Sequence, residues 1–261
     1  MSSVFISGAA QGIGAAIAQL FYQHGYHVGI YDINLEKAQY LASQLGPRAL
    51  AGSLDVCDYT QWQNALAAFQ HWAGELNILI NNAGVLYSGP FEEIDILDQQ
   101  RCIQINVTGV MNGCHAALPW LKQAKHARVI NLSSASAIYG QADLASYSAS
   151  KFAVRGLTEA LDVEWQKYQI RVLDVMPLFV QTDMVKDMNA GSIQHLGVNL
   201  NAEDVAKQVL DLAQRKDYAW SATHQPVGLK AKVLYQLSGP SPQFLNRWTN
   251  MLLAYRGKKT K

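Results

Sequence analysis

The run Val4-Phe5-Ile6-Ser7-Gly8-Ala9-Ala10-Gln11-Gly12-Ile13-Gly14 decides the fold of this chain. Its apolar beginning predicts a short strand, and the pattern of Ala15 to His24 behind it predicts a helix. Between them, Gly8 allows a tight turn, Gly12 lets the backbone approach a phosphate, and Gly14 permits close packing of the helix on the strand. A strand, a glycine-rich turn and a helix in this order predict a pyrophosphate-binding site.

The second predicted strand, His27-Val28-Gly29-Ile30-Tyr31, ends at Asp32. A carboxylate at this position accepts hydrogen bonds from the ribose hydroxyls of adenosine and repels a 2′-phosphate. The glycine run contains no Arg or Lys that would offset this repulsion. These residues predict NAD rather than NADP as the cofactor, and the alternative interpretation is a surface turn followed by an unrelated aspartate.

Tyr147 and Lys151 are four residues apart within residues 145–152, which predict a helix, so their side chains share one face. A tyrosine titrates at about 10 in water, and an adjacent ammonium favours the phenolate. We therefore expect Lys151 to lower the pKa of Tyr147 and to make it a proton donor and acceptor closer to neutral pH. Taken alone, the pair also fits an ordinary solvated helix face.

Several motifs in order resemble those of the short-chain dehydrogenase/reductase family, in its single-domain form with a Tyr-x3-Lys pair, over about residues 4–190. Beside the glycine run stand Asp55-Val56 and Asn81-Asn82-Ala83-Gly84. Pro177 and Thr182 follow the sixth predicted strand, where this family holds the nicotinamide. The cofactor contacts that the resemblance implies are Gly8, Gln11, Gly12, Ile13, Gly14, Asp32, Asp55, Val56, Asn82, Ala83, Gly84, Tyr147, Lys151, Pro177 and Thr182.

The resemblance also implies a catalytic set of Ser134, Tyr147, Lys151 and Asn106. Ser134 lies thirteen residues before Tyr147, where the family keeps its catalytic serine, and the neighbouring Ser133 is then a structural hydroxyl. Asn106 is similar to an asparagine that joins a water-linked proton relay to the lysine. The implied reaction interconverts an alcohol and a ketone or aldehyde, with Tyr147 as acid and base and NAD as the hydride carrier.

Three residues near these motifs depart from the family pattern. Ser7 stands where the family usually has Thr before its first glycine, and it keeps the hydroxyl. Asn77 stands where the family usually has Asp, and we expect its amide to hydrogen-bond near the adenine. Leu178 stands where the family usually has Gly, so a bulky side chain is expected on the loop that covers the nicotinamide. The family's usual C-terminal strand ending in Asp-Gly-Gly, which packs tetramers, has no counterpart in the sequence.

Composition excludes several classes of partner. The 261 residues carry a net charge of +1 and no basic cluster before the last six positions, which argues against nucleic acid. The three cysteines and seven histidines show neither Cys-x2-Cys nor His-x3-His spacing, so neither a metal site nor a disulfide framework is predicted and a reducing cytoplasm is expected. No apolar run approaches the ~20 residues of a membrane span, and the first strand begins too early for a signal peptide.

Apolar runs alternate with helical patterns, which predicts a single Rossmann-type α/β domain over residues 1–261 with a doubly wound parallel sheet. The strands are predicted at 4–7, 27–32, 49–54, 76–81, 127–133 and 170–176, in the order 3-2-1-4-5-6. Residues 185–201 are polar and weakly periodic; the resemblance implies a substrate lid, and the alternative is a surface loop. Asn201 or Asn199 is expected to cap a helix over 202–215.

Residues 217–261 are expected to form an apolar helical extension. A predicted helix over 243–256 has one apolar face. Three surfaces compete to cover this face: the substrate cleft, a second subunit and a membrane surface. We rank the cleft or a homodimer ahead of the membrane because only four basic charges follow the face. The face consists of Phe244, Leu245, Trp248, Met251, Leu252 and Tyr255. This long apolar region also favours a lipophilic substrate.

Two classes of function fit the sequence. The complete catalytic set favours an NAD-dependent oxidoreductase that acts on a small lipophilic molecule as a homodimer or other homo-oligomer. The alternative is a dinucleotide-binding regulatory protein that has kept the fold without turnover, since fold does not imply function. A lyase or epimerase with bound NAD is disfavoured because such enzymes resemble longer chains with a separate substrate domain.

Overall fold

A single parallel sheet forms the centre of the computed structural model, which describes residues 2–182, 197–216 and 221–239 and positions 242, 244, 245, 247, 248, 250 and 251. Its strands are β1 (Ser3–Ser7), β2 (His27–Asp32), β3 (Ala49–Ser53), β4 (Ile78–Asn81), β5 (Arg128–Leu132), β6 (Arg171–Pro177) and β7 (His224–Val227). They lie in the order β3-β2-β1-β4-β5-β6-β7. The predicted Rossmann-type sheet, with its first six strands in the order 3-2-1-4-5-6, is confirmed.

Helices cover both faces of the sheet. They are α1 (Gly12–Gln23), α2 (Leu35–Leu45), α3 (Tyr59–Ala73), α4 (Ile96–Ile103), α5 (Gly109–Leu121), α6 (Ala145–Glu164), α7 (Ala202–Gln214) and α8 (Leu229–Ser238). Successive side chains of a strand point to opposite faces. Along β1, Val4 and Ile6 therefore pack with α1 and α7, whereas Phe5 packs with α3 and stacks on Tyr31 at 4.2 Å between ring centroids.

The edge strand β7 is not predicted by the sequence pattern. Its residues, His224-Gln225-Pro226-Val227, include two polar side chains and a proline. Proline has no backbone N–H, so a strand tolerates it only at a position that needs no hydrogen-bond donor. The strand pairs with β6 from Asp174↔His224 to Pro177↔Val227. Residues 224–227 therefore add a seventh strand to the sheet, α8 follows it, and the expected apolar helical extension over 217–261 is not confirmed.

The expected lid over 185–201 lies mostly outside the described residues, because only 197–201 of it are described. Leu200 forms a bridge with Val180, which holds this end of the segment beside β6. The side chain of Asn201 accepts a hydrogen bond from the backbone N–H of Asp204, and the Asp204 carboxylate accepts one from the backbone N–H of Asn201. Asn201 is thus the cap of α7, as one of the two expected alternatives.

The expected tail helix over 243–256 is only partly described. Its described residues between 244 and 251 are helical, and the described members of its apolar face, Phe244, Leu245, Trp248 and Met251, are exposed. Leu252 and Tyr255 lie outside the described residues. What covers this face therefore stays a prediction. No helix within the described ranges is long and apolar enough to cross a bilayer.

Candidate active site

A cleft of about 390 Å³ opens at the carboxyl ends of β1, β4, β5 and β6. The strand order reverses between β1 and β4, and sheets of this kind bind ligands at such a switch point. Most of the predicted site residues line this cleft: Gly8, Gln11, Gly12, Ile13, Asp32, Asp55, Val56, Asn82, Ala83, Gly84, Ser134, Tyr147, Lys151, Pro177 and Thr182. Gly14 and Asn106 lie behind its wall.

The glycine turn leaves room for the backbone and for an anion, but not for side chains. Gly8 has φ +63°, and a β-carbon on it would lie 2.6 Å from the α-carbon of Ala83. A methyl group on Gly14 would overlap the carbonyl oxygen of Gly8 and lie 2.6 Å from Nδ2 of Asn82. Among the described residues, no side chain caps the amino terminus of α1 at Gln11. Its N–H groups are therefore available to a phosphate.

The Asp32 carboxylate is fixed at the end of the cleft beside the glycine turn. Adenosine is predicted to bind there, and we call it the adenosine end. Oδ2 of Asp32 accepts a hydrogen bond from the backbone N–H of Ala10 at 3.0 Å, and its Oδ1 accepts one from that of Asn34 at 2.9 Å. Lys37 donates to Oε1 of Gln11 at 2.9 Å. The sequence pattern does not reveal this ammonium at the rim, because Lys37 lies on α2, outside the glycine run.

The loops after β3 and β4 close the same end of the cleft. Asp55 Oδ1 accepts the backbone N–H of Cys57 at 2.9 Å, and the Val56 carbonyl accepts Nε1 of Trp62 at 3.1 Å. Asn82 Nδ2 donates to the Gly8 carbonyl at 2.6 Å and so ties the loop after β4 to the glycine turn. Asn77, in contrast, precedes β4 at the opposite edge of the sheet, where its Oδ1 accepts the backbone N–H of Ser3 at 2.8 Å. The expectation that Asn77 lies near the adenine is wrong.

Tyr147 and Lys151 share one face of α6, as predicted. The Lys151 ammonium donates to the carbonyl of Leu132 at 2.7 Å and lies 5.5 Å from the centroid of the Tyr147 ring. Burial lowers the pKa of Lys151 to about 8. Burial also raises the pKa of Tyr147 to about 12, although the Ser134 hydroxyl opposes the shift. Desolvation of the phenolate is the largest cause of this rise, and the expected lowering of the Tyr147 pKa by Lys151 stays a prediction.

The two neighbouring serines have different surroundings. Ser134 accepts the backbone N–H of Ser136 at 3.1 Å, which caps a short 3₁₀ turn at Ala135–Ala137, and its hydroxyl faces Tyr147 in the cleft. Ser133 is buried and donates to the backbone carbonyl of Lys151 at 3.4 Å. Both serines line the cleft, and the bond of Ser133 to the Lys151 carbonyl agrees with a structural role for that hydroxyl. Ser134 as the hydroxyl that binds the substrate oxygen stays a prediction.

Asn106 lies in a π-helical turn, Gln104–Thr108, between α4 and α5. Its Oδ1 accepts the backbone N–H of Val85 at 2.8 Å, and its Nδ2 donates to Oγ of Ser150 at 3.0 Å. The side chain therefore connects the loop after β4 with α6. Turns of this type are frequent at functional sites. The proton relay through Asn106 stays a prediction.

An apolar wall borders the end of the cleft around Tyr147 and Lys151. The nicotinamide is predicted to bind there, and we call it the nicotinamide end. Leu178, which departs from the family pattern, follows β6 and packs beside Leu144, Phe179, Leu86 and Tyr147. Its bulk therefore extends an apolar surface next to the phenol. Thr182 lies close to the glycine turn, since its methyl carbon would be 3.7 Å from a β-carbon on Gly12.

These features fit a nicotinamide dinucleotide. The open amino terminus of α1 and the space at Gly8 suit the pyrophosphate, and the fixed Asp32 carboxylate suits the ribose hydroxyls of adenosine. Lys151 and Tyr147 line the same cleft, and so does Gly84.

Comparison with known proteins agrees with this geometry. Residues 2–192 match the model of the short chain dehydrogenase family. The chain is 35% identical over 218 residues to trans-4-hydroxycyclohexanecarboxylate dehydrogenase of Sinomonas cyclohexanicum, covering 80% of this chain and 84% of that protein. It is also 35% identical over 179 residues to a 3-alpha-(or 20-beta)-hydroxysteroid dehydrogenase of Mycobacterium bovis, covering 69% of each.

Solved structures show the same relationship. The fold is similar to that of 3-ketoacyl-(acyl-carrier-protein) reductase from Brucella melitensis complexed with NADH, with a TM-score of 0.81 and 25% identity. The match covers 87% of this chain and 96% of the reductase. A nicotinamide dinucleotide is thus the class of cofactor that the fold supports, and the chain belongs to the short chain dehydrogenase family of oxidoreductases.

Proposed function

We propose that this protein is an NAD-dependent dehydrogenase that interconverts a lipophilic alcohol and its ketone or aldehyde, with Tyr147 as the acid and base. One observation carries the proposal. Ser134, Tyr147 and Lys151 meet in a cleft that also reaches the glycine turn and Asp32, directly beside the apolar wall around Leu178. A regulatory protein without turnover would not need a buried ammonium behind a phenol at that place.

Each residue of the set has a chemical task in this proposal. Ser134 donates a hydrogen bond to the substrate oxygen, and Tyr147 transfers a proton to or from the same oxygen. When bound, the nicotinamide supplies or accepts the hydride and, in its oxidised form, brings a positive charge that favours the phenolate. Lys151 holds the ribose hydroxyls and stabilises the phenolate, while Asn106 connects the site to solvent.

The preference for NAD rests on Asp32. Its two oxygens are held by backbone N–H groups, and the negative charge disfavours a 2′-phosphate at this end of the cleft. Lys37, bonded to Gln11 at the rim, weakens that repulsion without removing it, because its ammonium is exposed to solvent.

The substrate class follows from the apolar wall. Burial of apolar surface contributes roughly 25 cal/mol per Å², so a ring or chain placed against Leu86, Leu178 and Phe179 would bind more strongly than a short polar alcohol. The names of the two relatives describe hydroxyl groups on a cyclohexane ring and on a steroid. We therefore extend the proposal to a secondary alcohol carried on an apolar ring or chain.

The cellular setting is part of the same proposal. The free cysteines Cys57, Cys102 and Cys114 suit the reducing cytoplasm. Exposed apolar side chains on neighbouring helices, namely Ile103, Met111 and Phe152, suit a homodimer or other homo-oligomer.

The test is a screen of NAD and NADP reduction with alcohols of graded chain length and ring size. We expect turnover with NAD to rise from short polar alcohols to apolar cyclic secondary alcohols. The matched variant Leu178→Gly, which removes the side chain from the wall, should reduce this gradient. A protein that binds NADH but turns over none of these alcohols, nor the corresponding ketones with NADH, would contradict the proposed function.

A further inference from the structure

Helix α8 leaves a stripe of apolar side chains in solvent. Leu229, Val233 and Leu237 follow one another at intervals of four residues, and all three are exposed. This spacing places them on one face of the helix. Ala231, two residues after Leu229, is fully buried and packs in a small core cluster. Helix α8 therefore packs on the domain with one side and presents an apolar stripe on the other.

The tail segment, meaning the described helical residues between 244 and 251, also has its apolar face outward. The side chain of Asn250 donates a hydrogen bond to the carbonyl of Gly140, in the loop between β5 and α6. Asn250 is half-buried, whereas the described members of the apolar face are exposed. At 3.6 residues per turn, Asn250 lies about 200° around the helix from Trp248. The polar side of the segment is therefore attached to the domain, and the apolar face points away from it.

The substrate cleft does not cover the described part of this face. Gly140 directly precedes Gln141, which lines the cleft, so the tail segment lies beside the cleft mouth. The side that meets this loop is the side of Asn250, opposite Trp248. Of the three covers that the sequence left open, a second subunit and a membrane surface remain.

The charge of this part of the chain is strongly asymmetric. Residues 229–261 contain seven Lys or Arg and no Asp or Glu, a net charge of +7. The other 14 basic residues and all 20 acidic residues lie in residues 1–228, a net charge of −6. Lys230 and Lys232 stand on α8 beside its apolar stripe, and Arg247 is the neighbour of Trp248 in the tail segment. The apolar stripes are therefore surrounded by positive charge.

Charge favours a membrane surface over a second copy of the chain. A twofold interface brings the same patch of both copies together, so seven positive charges would face another seven. Like charges across an interface oppose association. An anionic bilayer has the opposite sign and attracts each Lys or Arg near it. The four basic residues that follow the tail face are few for anchoring by themselves, and α8 and Arg247 add three more.

We propose that α8 and the tail segment form a C-terminal surface that docks on an anionic lipid bilayer. Its apolar side chains enter the boundary between headgroups and acyl chains, and its basic side chains lie beside the lipid phosphates, as in other interfacial amphipathic helices. This surface lies on different helices from the side chains proposed for a homo-oligomer, and it requires no assumption about the reaction. Its apolar members are Leu229, Val233, Leu237, Phe244, Leu245, Trp248 and Met251.

The test measures binding of the full chain to phospholipid vesicles by co-sedimentation, without cofactor or substrate. The partition coefficient should be at least about tenfold higher on phosphatidylcholine vesicles that contain phosphatidylglycerol than on phosphatidylcholine alone. Added salt should lower it, because salt screens exposed charges. Lys232→Gln combined with Arg247→Gln should reduce this preference for anionic vesicles and leave binding to the neutral vesicles unchanged.

A second pair of variants tests the apolar face. Trp248→Ser should lower the partition coefficient on the anionic vesicles by at least about tenfold, since it removes an aromatic ring from the inserted face. Tyr40→Ser on α2 is the matched control, because Tyr40 is an aromatic residue of similar exposure, 69% against 59% for Trp248. Its partition coefficient should equal that of the wild type.

The conservative variant Trp248→Phe keeps the test decisive if Trp248→Ser does not fold. Brominated acyl chains should quench the tryptophan fluorescence of the bound wild type, and most of this quenching should be lost in Trp248→Phe. Wild-type protein that stays in the supernatant with both kinds of vesicle overturns the inference. Unchanged vesicle binding by Trp248→Ser, with loss of self-association in sedimentation velocity, also overturns it and assigns the face to a second copy of the chain.

Discussion

The adenosine end and the nicotinamide end of the cleft are built by different means. At the adenosine end, backbone N–H groups and small residues form the surface, and Asp32 is held by two backbone N–H groups. At the nicotinamide end, side chains that titrate are buried together, so that the pKa of Lys151 falls to about 8 and that of Tyr147 rises to about 12. The adenosine end is a backbone surface with one fixed carboxylate. The nicotinamide end contains titratable side chains whose pKa values are shifted by burial.

The difference teaches how binding and chemistry are divided in this molecule. Changes at the adenosine end should alter which cofactor binds and how tightly, because the backbone geometry there is directly involved. Changes at the nicotinamide end should alter turnover more than affinity, because proton transfer depends on the protonation states of a few side chains.

The largest expected effect separates the two serines at the nicotinamide end. Ser134→Ala should lower kcat by about 10²–10³-fold, because it removes a hydrogen-bond donor to the reacting oxygen. Ser133→Ala should lower the free energy of unfolding by about 1 kcal/mol, through its lost bond to the Lys151 carbonyl, and should retain most of the turnover. Steady-state kinetics with the best alcohol of the screen and urea unfolding measure the two effects. The reverse pattern would assign the catalytic role to Ser133.

A second prediction concerns the packing of the adenosine end. Gly14→Ala should lower the free energy of unfolding by about 1–3 kcal/mol and should weaken NADH binding, because the added methyl overlaps the Gly8 carbonyl and displaces the turn. Gly156→Ala on α6 is the control, since a β-carbon there meets nothing within 4 Å and alanine favours a helix. Urea unfolding and NADH fluorescence are the measurements. Equal stability of the two variants would show that the turn tolerates a side chain.

The smallest expected effect is on the choice of cofactor. Asp32→Ala should raise the efficiency with NADP relative to NAD by about tenfold, which corresponds to about 1.4 kcal/mol of repulsion removed. Lys37→Met should lower the residual efficiency with NADP, because it removes the ammonium at the rim. The measurement is kcat/KM with both cofactors. Equal efficiencies in the wild-type protein would contradict the assigned role of Asp32.

The sequence predicts the sheet and the glycine turn well, because both depend on local patterns. Glycines at fixed spacing require a particular turn, and apolar runs of strand length predict the first six strands. The sequence pattern does not predict the edge strand β7, because His224 and Pro226 are more typical of a loop than of a strand. Asn77 is misplaced because its expected role came from the family pattern, although the predicted strand over 76–81 already places it at the amino end of β4.

The nicotinamide end is predicted in its residues but not in its electrostatics. The spacing of Tyr147 and Lys151 shows that the two side chains are neighbours, yet it does not show how deeply each is buried. Desolvation by burial is the largest cause of both pKa shifts, and distant strands and loops contribute to that burial. Such long-range contacts leave no signal in local spacing.

The most direct test of this division between cofactor binding and chemistry is to measure kcat and the dissociation constant of NADH for Tyr147→Phe in the same preparation. The variant keeps the ring and its packing and loses only the transferable proton. We predict that kcat falls by at least about 10²-fold with the best alcohol of the screen, while the dissociation constant of NADH changes by less than about threefold. Substantial turnover in Tyr147→Phe, or a loss of NADH binding as large as the loss of turnover, would contradict this account.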